Sequence, residues 1–176
     1  MIPSLSIQNA SGIPWGGLDD WQALISTLEH PIYPEGRRES ARKLAGDIQR
    51  ALIGIFPMLE DLCRQTCPWC PDPCCLNARL WFDFKDILFL YLTDQGLPQR
   101  QPCSHRNQPC SYLGPKGCRI PRLRRPFVCT WFICPTQKAI LQRPGLKSAA
   151  TLQAAIERIK TMRKQLASEC TAEHIF

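Results

Sequence analysis

Cysteine is absent from the first 62 residues of this 176-residue chain, yet ten of its 11 cysteines fall between positions 63 and 134. Cysteines that only filled a core would be spread more evenly. The start, Met1 to Ala10, has neither a basic opening nor an apolar stretch, which predicts no secretory signal and a reducing, cytoplasmic location. The longest apolar run, Ile87 to Leu92, is bounded by Asp86 and Asp94. It falls far short of the ~20 residues needed to span a bilayer, so no membrane span is expected. Glycine-rich cofactor loops, carboxylate pairs with an evident site and nucleophile–base constellations are also missing, which leaves open whether the chain is an enzyme. Hydrophobic residues make up 44% and charged residues 21% of the sequence, which excludes wholesale disorder and fibrous repeats.

What is present is a chain of ordinary single-domain length carrying two cysteine clusters. The reading divides it into a helical part over 1–62, a cysteine-rich core over 63–134 and a C-terminal helix within 135–176. Trp21, Leu24, Ile25 and Leu28 suit one face of a short helix that ends before Pro31 and Pro34. Leu44, Ile48, Leu52, Ile55 and Leu59 form the stripe of a longer helix from about Arg37 to Glu60, with Pro57 kinking its last turn. Residues 78–82 read as a short strand. Asp83 is placed to cap a buried helix over 84–93, which Gly96 and Pro98 stop. Residues 103–134 read as loops with at most one helical turn. Leu152, Ile156, Ile159 and Leu166 mark a final helix over about 148–168 with a basic opposite face. The fold class is therefore mainly α, a small helical domain with an irregular cysteine-rich metal-binding lobe.

In a reducing compartment, clustered cysteines hold metal or do redox chemistry more often than they form disulfides. The first cluster places Cys67 and Cys70 at C-x2-C spacing, followed by Cys74 and Cys75. A tight turn at that spacing aims two sulfurs at one metal, and Pro68, Pro71 and Pro73 restrict it in advance. Neighbouring side chains in an extended segment point apart, so Cys74 and Cys75 are expected to serve different metals, or one to ligate while the other packs. The second cluster runs Cys110, Cys118, Cys129 and Cys134, with Arg125-Pro126 ahead of Cys129. Its cysteines are too widely spaced for one compact turn, so at least one site drawing ligands from both segments is expected, organised by the Cys67–Cys70 turn.

These residues together, with Gly117, Ile120, Arg125 and Pro126 at consistent offsets, resemble the YkgJ-like family of zinc- or iron-chelating proteins over roughly residues 67–134. The resemblance implies metal chelation by Cys67, Cys70, Cys74, Cys75, Cys110, Cys118, Cys129 and Cys134. The all-sulfur set favours an iron–sulfur cluster, with possible redox or electron-transfer use, over Zn2+. The alternatives are a structural zinc module that binds a protein or nucleic acid, and an enzyme or accessory related to lysine methylation, because a similar cysteine module occurs in flagellin lysine methylases. Cys63, Cys67 and Cys70 also spell a spacing similar to the cluster loop of radical S-adenosylmethionine enzymes, but the chain is too short for their barrel.

The formal charge of +7 invites a nucleic-acid reading. Eight thiolates on two sites of core charge about +2 would bring it to roughly +3, so nucleic acid is disfavoured. Arg119, Arg122, Arg124 and Arg125 are expected to screen the thiolates or lie solvated, with Arg125 bonding carbonyls or a carboxylate. Cys63, Cys103, Cys170 and His105 are taken as bystanders. Trp69, Trp131 and Phe132 flank ligands, where either aromatic cover over the site or core packing explains them.

Overall fold

Asp83 starts the element at the centre of the molecule. Its side chain accepts from the Asp86 backbone N–H at 2.8 Å, and the Asp86 carboxylate accepts from the Asp83 N–H at 2.9 Å. This reciprocal cap satisfies two donors that a helix start leaves open. The helix it begins, α4 (Phe84–Leu92), buries Asp86, Ile87, Leu88, Phe89, Leu90 and Leu92. The computed structural model describes residues 18–29, 37–77, 80–103, 108–115, 117–143 and 148–171.

Around α4 pack α2 (Arg37–Thr66) and α7 (Ser148–Thr171), which also lie against each other. In α2 the buried stripe is Ala41, Ala45, Ile48, Leu52, Ile55, Leu59 and Leu62, alternating steps of four and three as a helical face requires. In α7 it is Leu152, Ile156, Ile159, Arg163 and Leu166. Arg163 thus sits in the apolar seam and corrects the expectation that the basic residues of this helix all lie opposite it. The ordering α1 (Leu18–Glu29), α2, α4, α7 confirms the mainly α class. Trp21 of α1 is buried, packs 6.1 Å from the Phe82 ring and donates from Nε1 to the Pro98 carbonyl at 3.0 Å.

Four local expectations need correction. Helix α2 continues through Pro57 to Thr66 rather than stopping near Glu60. The carbonyl that Pro57 leaves without a helical donor belongs to Ile53, whose side chain is exposed, so this face of the helix is open to water. Residues 80–83 form no strand, and 78–79 lie outside the described residues. The Gln101 side chain takes the place of a partner strand: its Oε1 accepts from the Phe82 N–H at 2.7 Å and its Nε2 donates to the Phe82 carbonyl at 3.0 Å. Cys74 and Cys75 are helical, in α3 (Cys74–Asn77), not extended. Finally, a helix that the sequence reading lacked, α6 (Pro135–Leu141), starts with proline in its first turn, where the missing N–H costs nothing, and packs on α2.

The second cysteine segment is held by short-range structure. An antiparallel pair, β1 (Leu113–Gly114) with β2 (Gly117–Cys118), is followed by a 3-10 turn at Arg122–Arg124 and one α-turn, α5 (Val128–Trp131). Gly117 has φ +103°, a conformation that any side chain would strain, and it delivers Cys118 into β2.

Candidate metal centre

The end of α2 supplies the first sulfurs. Because the helix runs to Thr66, Cys63 lies within its last turns and Cys67 opens the 3-10 turn Cys67–Trp69 directly after it. Cys70 closes that turn with its N–H on the Cys67 carbonyl at 3.3 Å. Burial pushes the Cys67 thiol up to about 11, with Cys63 and Cys74 adding to the rise.

Cys74 and Cys75 are neighbours in α3, and each acts on the other's thiol. The Cys75 side chain and backbone N–H groups lower the Cys74 thiol to about 6 against the opposing effect of burial. The Cys74 side chain raises the Cys75 thiol, with burial and the charges of Cys129 and Cys110 acting in the same direction.

Cys75 is the link between the segments. The Cys110 N–H donates to the Cys75 carbonyl at 2.8 Å, fixing the two stretches of backbone together. Burial raises the Cys110 thiol, with Cys103 and Cys118 contributing, while backbone N–H groups of Tyr112 and Leu113 act in the other direction. Burial also raises the Cys129 thiol strongly, helped by Cys110 and Cys118 and opposed by Arg125. Cys75 and Cys110 are thus joined through their backbones, and Cys110 and Cys129 both pack against Leu80 and Cys103. Neither Cys70 nor Cys134 is among the sulfurs joined by these contacts; Cys134 caps the start of α6, its carbonyl accepting from the Lys138 N–H at 2.9 Å.

Cys129 is held from the core. It sits in α5, which begins after Phe127, and the Phe127 N–H donates to Asp86 Oδ1 at 2.9 Å. Arg163 donates to the same oxygen at 2.8 Å and to Asp83 Oδ1 at 3.0 Å, and its guanidinium lies 4.5 Å from the centre of the Phe127 ring. Cys103 is buried beside Leu80, with Trp81, Cys110, Val128 and Cys129 packed around them. It fills space as a small apolar side chain.

The arginines divide by role. Arg125 Nε donates to the Ile120 carbonyl at 2.9 Å and Arg124 to the Gly96 carbonyl at 3.3 Å. Arg122 points at a sulfur, Cys63 Sγ, at 3.5 Å. The aromatic residues flanking the cysteines do not cover them: Trp69 is 83% exposed, and Trp131 and Phe132 are each 42% exposed. His105 and the Cys170 side chain lie outside the described residues.

The donor chemistry fits a thiophilic metal, since thiols from separate segments crowd one another and each raises the cost of ionising the next, which a cation would reverse. As they stand, no three of the described His, Cys, Asp and Glu side chains are placed to hold a metal ion. All ten described cysteines are free thiols. No helix among the described residues is long and apolar enough to cross a membrane. No family model matches the chain, and comparisons with curated proteins and with solved structures find no match.

Cys63, read from sequence as a bystander, lies on α2 with Arg122 and Gln137 at its sulfur. Extending the α2 stripe from Leu59 through Leu62 to Thr66 would have placed Cys63 on the helix, one turn before Cys67.

Proposed function

We propose that the chain is a cytoplasmic metal-binding protein that uses cysteine thiolates to hold an iron–sulfur cluster, with redox or electron-transfer use. The observation that carries this reading is that cysteines from separate segments meet: the Cys110 N–H donates to the Cys75 carbonyl at 2.8 Å, and Cys110 and Cys129 pack together against Leu80 and Cys103. A set of soft donors without oxygen or imidazole suits iron and sulfide, and the YkgJ-like resemblance points to the same cysteines. Binding would release the thiol protons and draw the sulfurs into one coordination sphere. Asp86 and Arg163 fix the approach of Cys129, and the Cys110–Cys75 backbone bond fixes that of Cys75.

The test is anaerobic purification with iron, zinc and acid-labile sulfide analysis and an absorption spectrum. Iron with matching sulfide and broad visible absorption is expected. A colourless protein holding zinc without sulfide would replace the cluster by a four-thiolate structural site. Absence of any stoichiometric metal would overturn the reading.

A further inference from the structure

The first cysteine cluster opens on a four-residue turn that its own sequence sets. Cys67-Pro68-Trp69-Cys70 is closed by the Cys70 N–H on the Cys67 carbonyl at 3.3 Å. Pro68 stands at the second position, where its fixed φ suits a turn of this kind. Pro71 then disfavours a helical Cys70, whose ψ is 121°, and the turn ends there. The two cysteines are thereby brought to one side. In a 3-10 turn, side chains three residues apart eclipse each other, and Cys70 keeps a helical φ of −77°, so its Cβ stands where a continued turn would put it. Such a turn holds its first and fourth Cα atoms within about 7 Å, and a disulfide needs about 4.4–6.8 Å. The turn is also open to an incoming molecule: Cys67 is exposed, Cys70 is half-buried, and Trp69 between them is 83% exposed.

We propose that Cys67 and Cys70 form a dithiol site that reduces a disulfide on another molecule and is itself oxidised to a Cys67–Cys70 disulfide. The inference goes beyond cluster binding and does not depend on it, because Cys70 lies outside the contacts that join Cys75 to Cys110 and Cys129. In the first step one of the two sulfurs, as thiolate, attacks the substrate R–S–S–R′, forming a mixed disulfide and releasing R′–S−. The other sulfur then displaces R–S−, which closes the Cys67–Cys70 bond. Two electrons pass from the pair to the substrate, and the two cysteine protons end on R–SH and R′–SH. Because the prolines hold the turn before reaction, the second sulfur meets the mixed disulfide as a neighbour, and little chain entropy is lost on closure. An excess of a thiol reductant drives the exchange backwards and restores the pair. Disulfides in a reducing compartment are characteristically of this transient kind.

The experiment exposes the full chain, purified and reduced without oxygen, to oxidised glutathione. Acid quenching, labelling of the remaining thiols with a maleimide and mass spectrometry with fragmentation between Cys70 and Cys74 locate the bonds, while metal content is followed in parallel. The wild-type protein is expected to lose two thiols first, both from the Cys67–Cys70 turn, with bound metal unchanged and reduced glutathione released. Cys70→Ser is expected to stop with glutathione on Cys67, and Cys67→Ser with glutathione on Cys70. In a second arm a disulfide-bonded polypeptide, insulin, replaces glutathione, and the faster arm identifies whether the substrate disulfide is carried on a polypeptide or a small molecule. A first bond elsewhere in the chain, or glutathione retained on the wild-type turn, would overturn the proposal. So would a Cys67–Cys70 bond that forms only as metal is lost, since the pair would then be metal ligands. Exchange at the turn in a chain purified without any metal would uphold the dithiol site while removing the cluster.

Discussion

Arg163, deep in the seam of α7, donates to Asp86 of α4 at 2.8 Å, and the Arg163 side chain is only 3% exposed. The pair ties the core to the cysteine lobe, because the same Asp86 oxygen accepts the Phe127 N–H from the segment that carries Cys129. Removing one partner of a buried pair leaves the other charge without compensation. Arg163→Met should therefore destabilise the protein by about 3–5 kcal/mol in denaturant unfolding. It should also lower metal content through Cys129. A loss below about 1 kcal/mol, the range of exposed pairs, would show that the pair does not hold the lobe.

The same carboxylate predicts a pH dependence. Burial pushes the Asp86 carboxyl up to about 6, against the lowering effect of Arg163. A carboxyl raised above its unfolded value of 3.8 keeps a proton in the folded state that the unfolded chain has released. Its contribution to stability is then fully present below pH 3.8 and is lost as pH rises through about 6. Asp86→Asn, which mimics the protonated form, should gain stability relative to wild type as pH is raised from 4 to 7. Parallel stability profiles for the two proteins would contradict the shift.

Gln101 substitutes for a strand, so its loss should be felt as two unmet backbone groups rather than one missing contact. Gln101→Ala leaves the Phe82 N–H and carbonyl without their partners, and Phe82 is fully buried. Each unsatisfied buried group costs about 1–3 kcal/mol. Unfolding midpoints of Gln101→Ala should fall accordingly, whereas Gln99→Ala, on an exposed residue two positions earlier, should change little.

These residues also show how far the sequence could be read. Helix α4 was legible because Asp83 and the turn chemistry at Gly96 lie next to a solid apolar run, all within one stretch of chain. The α2 stripe was legible for the same reason, but its end was not, because Pro57 signals a break locally while the burial of Leu59 and Leu62 on the same face carries the helix past it. Long-range pairings left no local trace: Gln101 reaches Phe82 across 19 positions, and Arg163 reaches Asp86 across 77. In the site, the clustering of the cysteines was plain, whereas the surroundings of single sulfurs depend on α3 being helical and on Gln137 of α6 meeting Cys63 of α2. The backbone bond from Cys110 to the Cys75 carbonyl, which joins the two segments, is likewise invisible in the spacing.

Ligands and bystanders should separate by substitution. Cys75→Ser, Cys118→Ser and Cys129→Ser should each lower bound metal, because serine keeps the size and loses the soft thiolate. Cys170→Ser should leave metal content unchanged. Equal loading across the four variants, measured on protein purified without oxygen, would refute the assignment.

Metal removal should act on one part of the molecule only. The core of α2, α4 and α7 buries its own apolar stripes, including Ile48, Leu52, Ile87, Leu88, Ile156 and Ile159, and needs no sulfur to do so. The segments 67–77 and 108–134 contain only two-residue strands and turns of three or four residues. Their backbone bonds, such as Cys70 to Cys67 and Cys129 to Pro126, close single turns and give little cooperativity. A metal joining Cys75 to Cys110 and Cys129 would cross-link these turns, and much of its binding free energy would appear as local stability. Chelation should therefore raise amide hydrogen exchange across 67–77 and 108–134 while protection in α4 and the middle of α2 and α7 persists. Unchanged protection in the cysteine segments after complete metal removal would mean that packing from Asp86 and Gln101 organises them unaided. Loss of protection throughout the chain would mean that the lobe and the core fold as one unit.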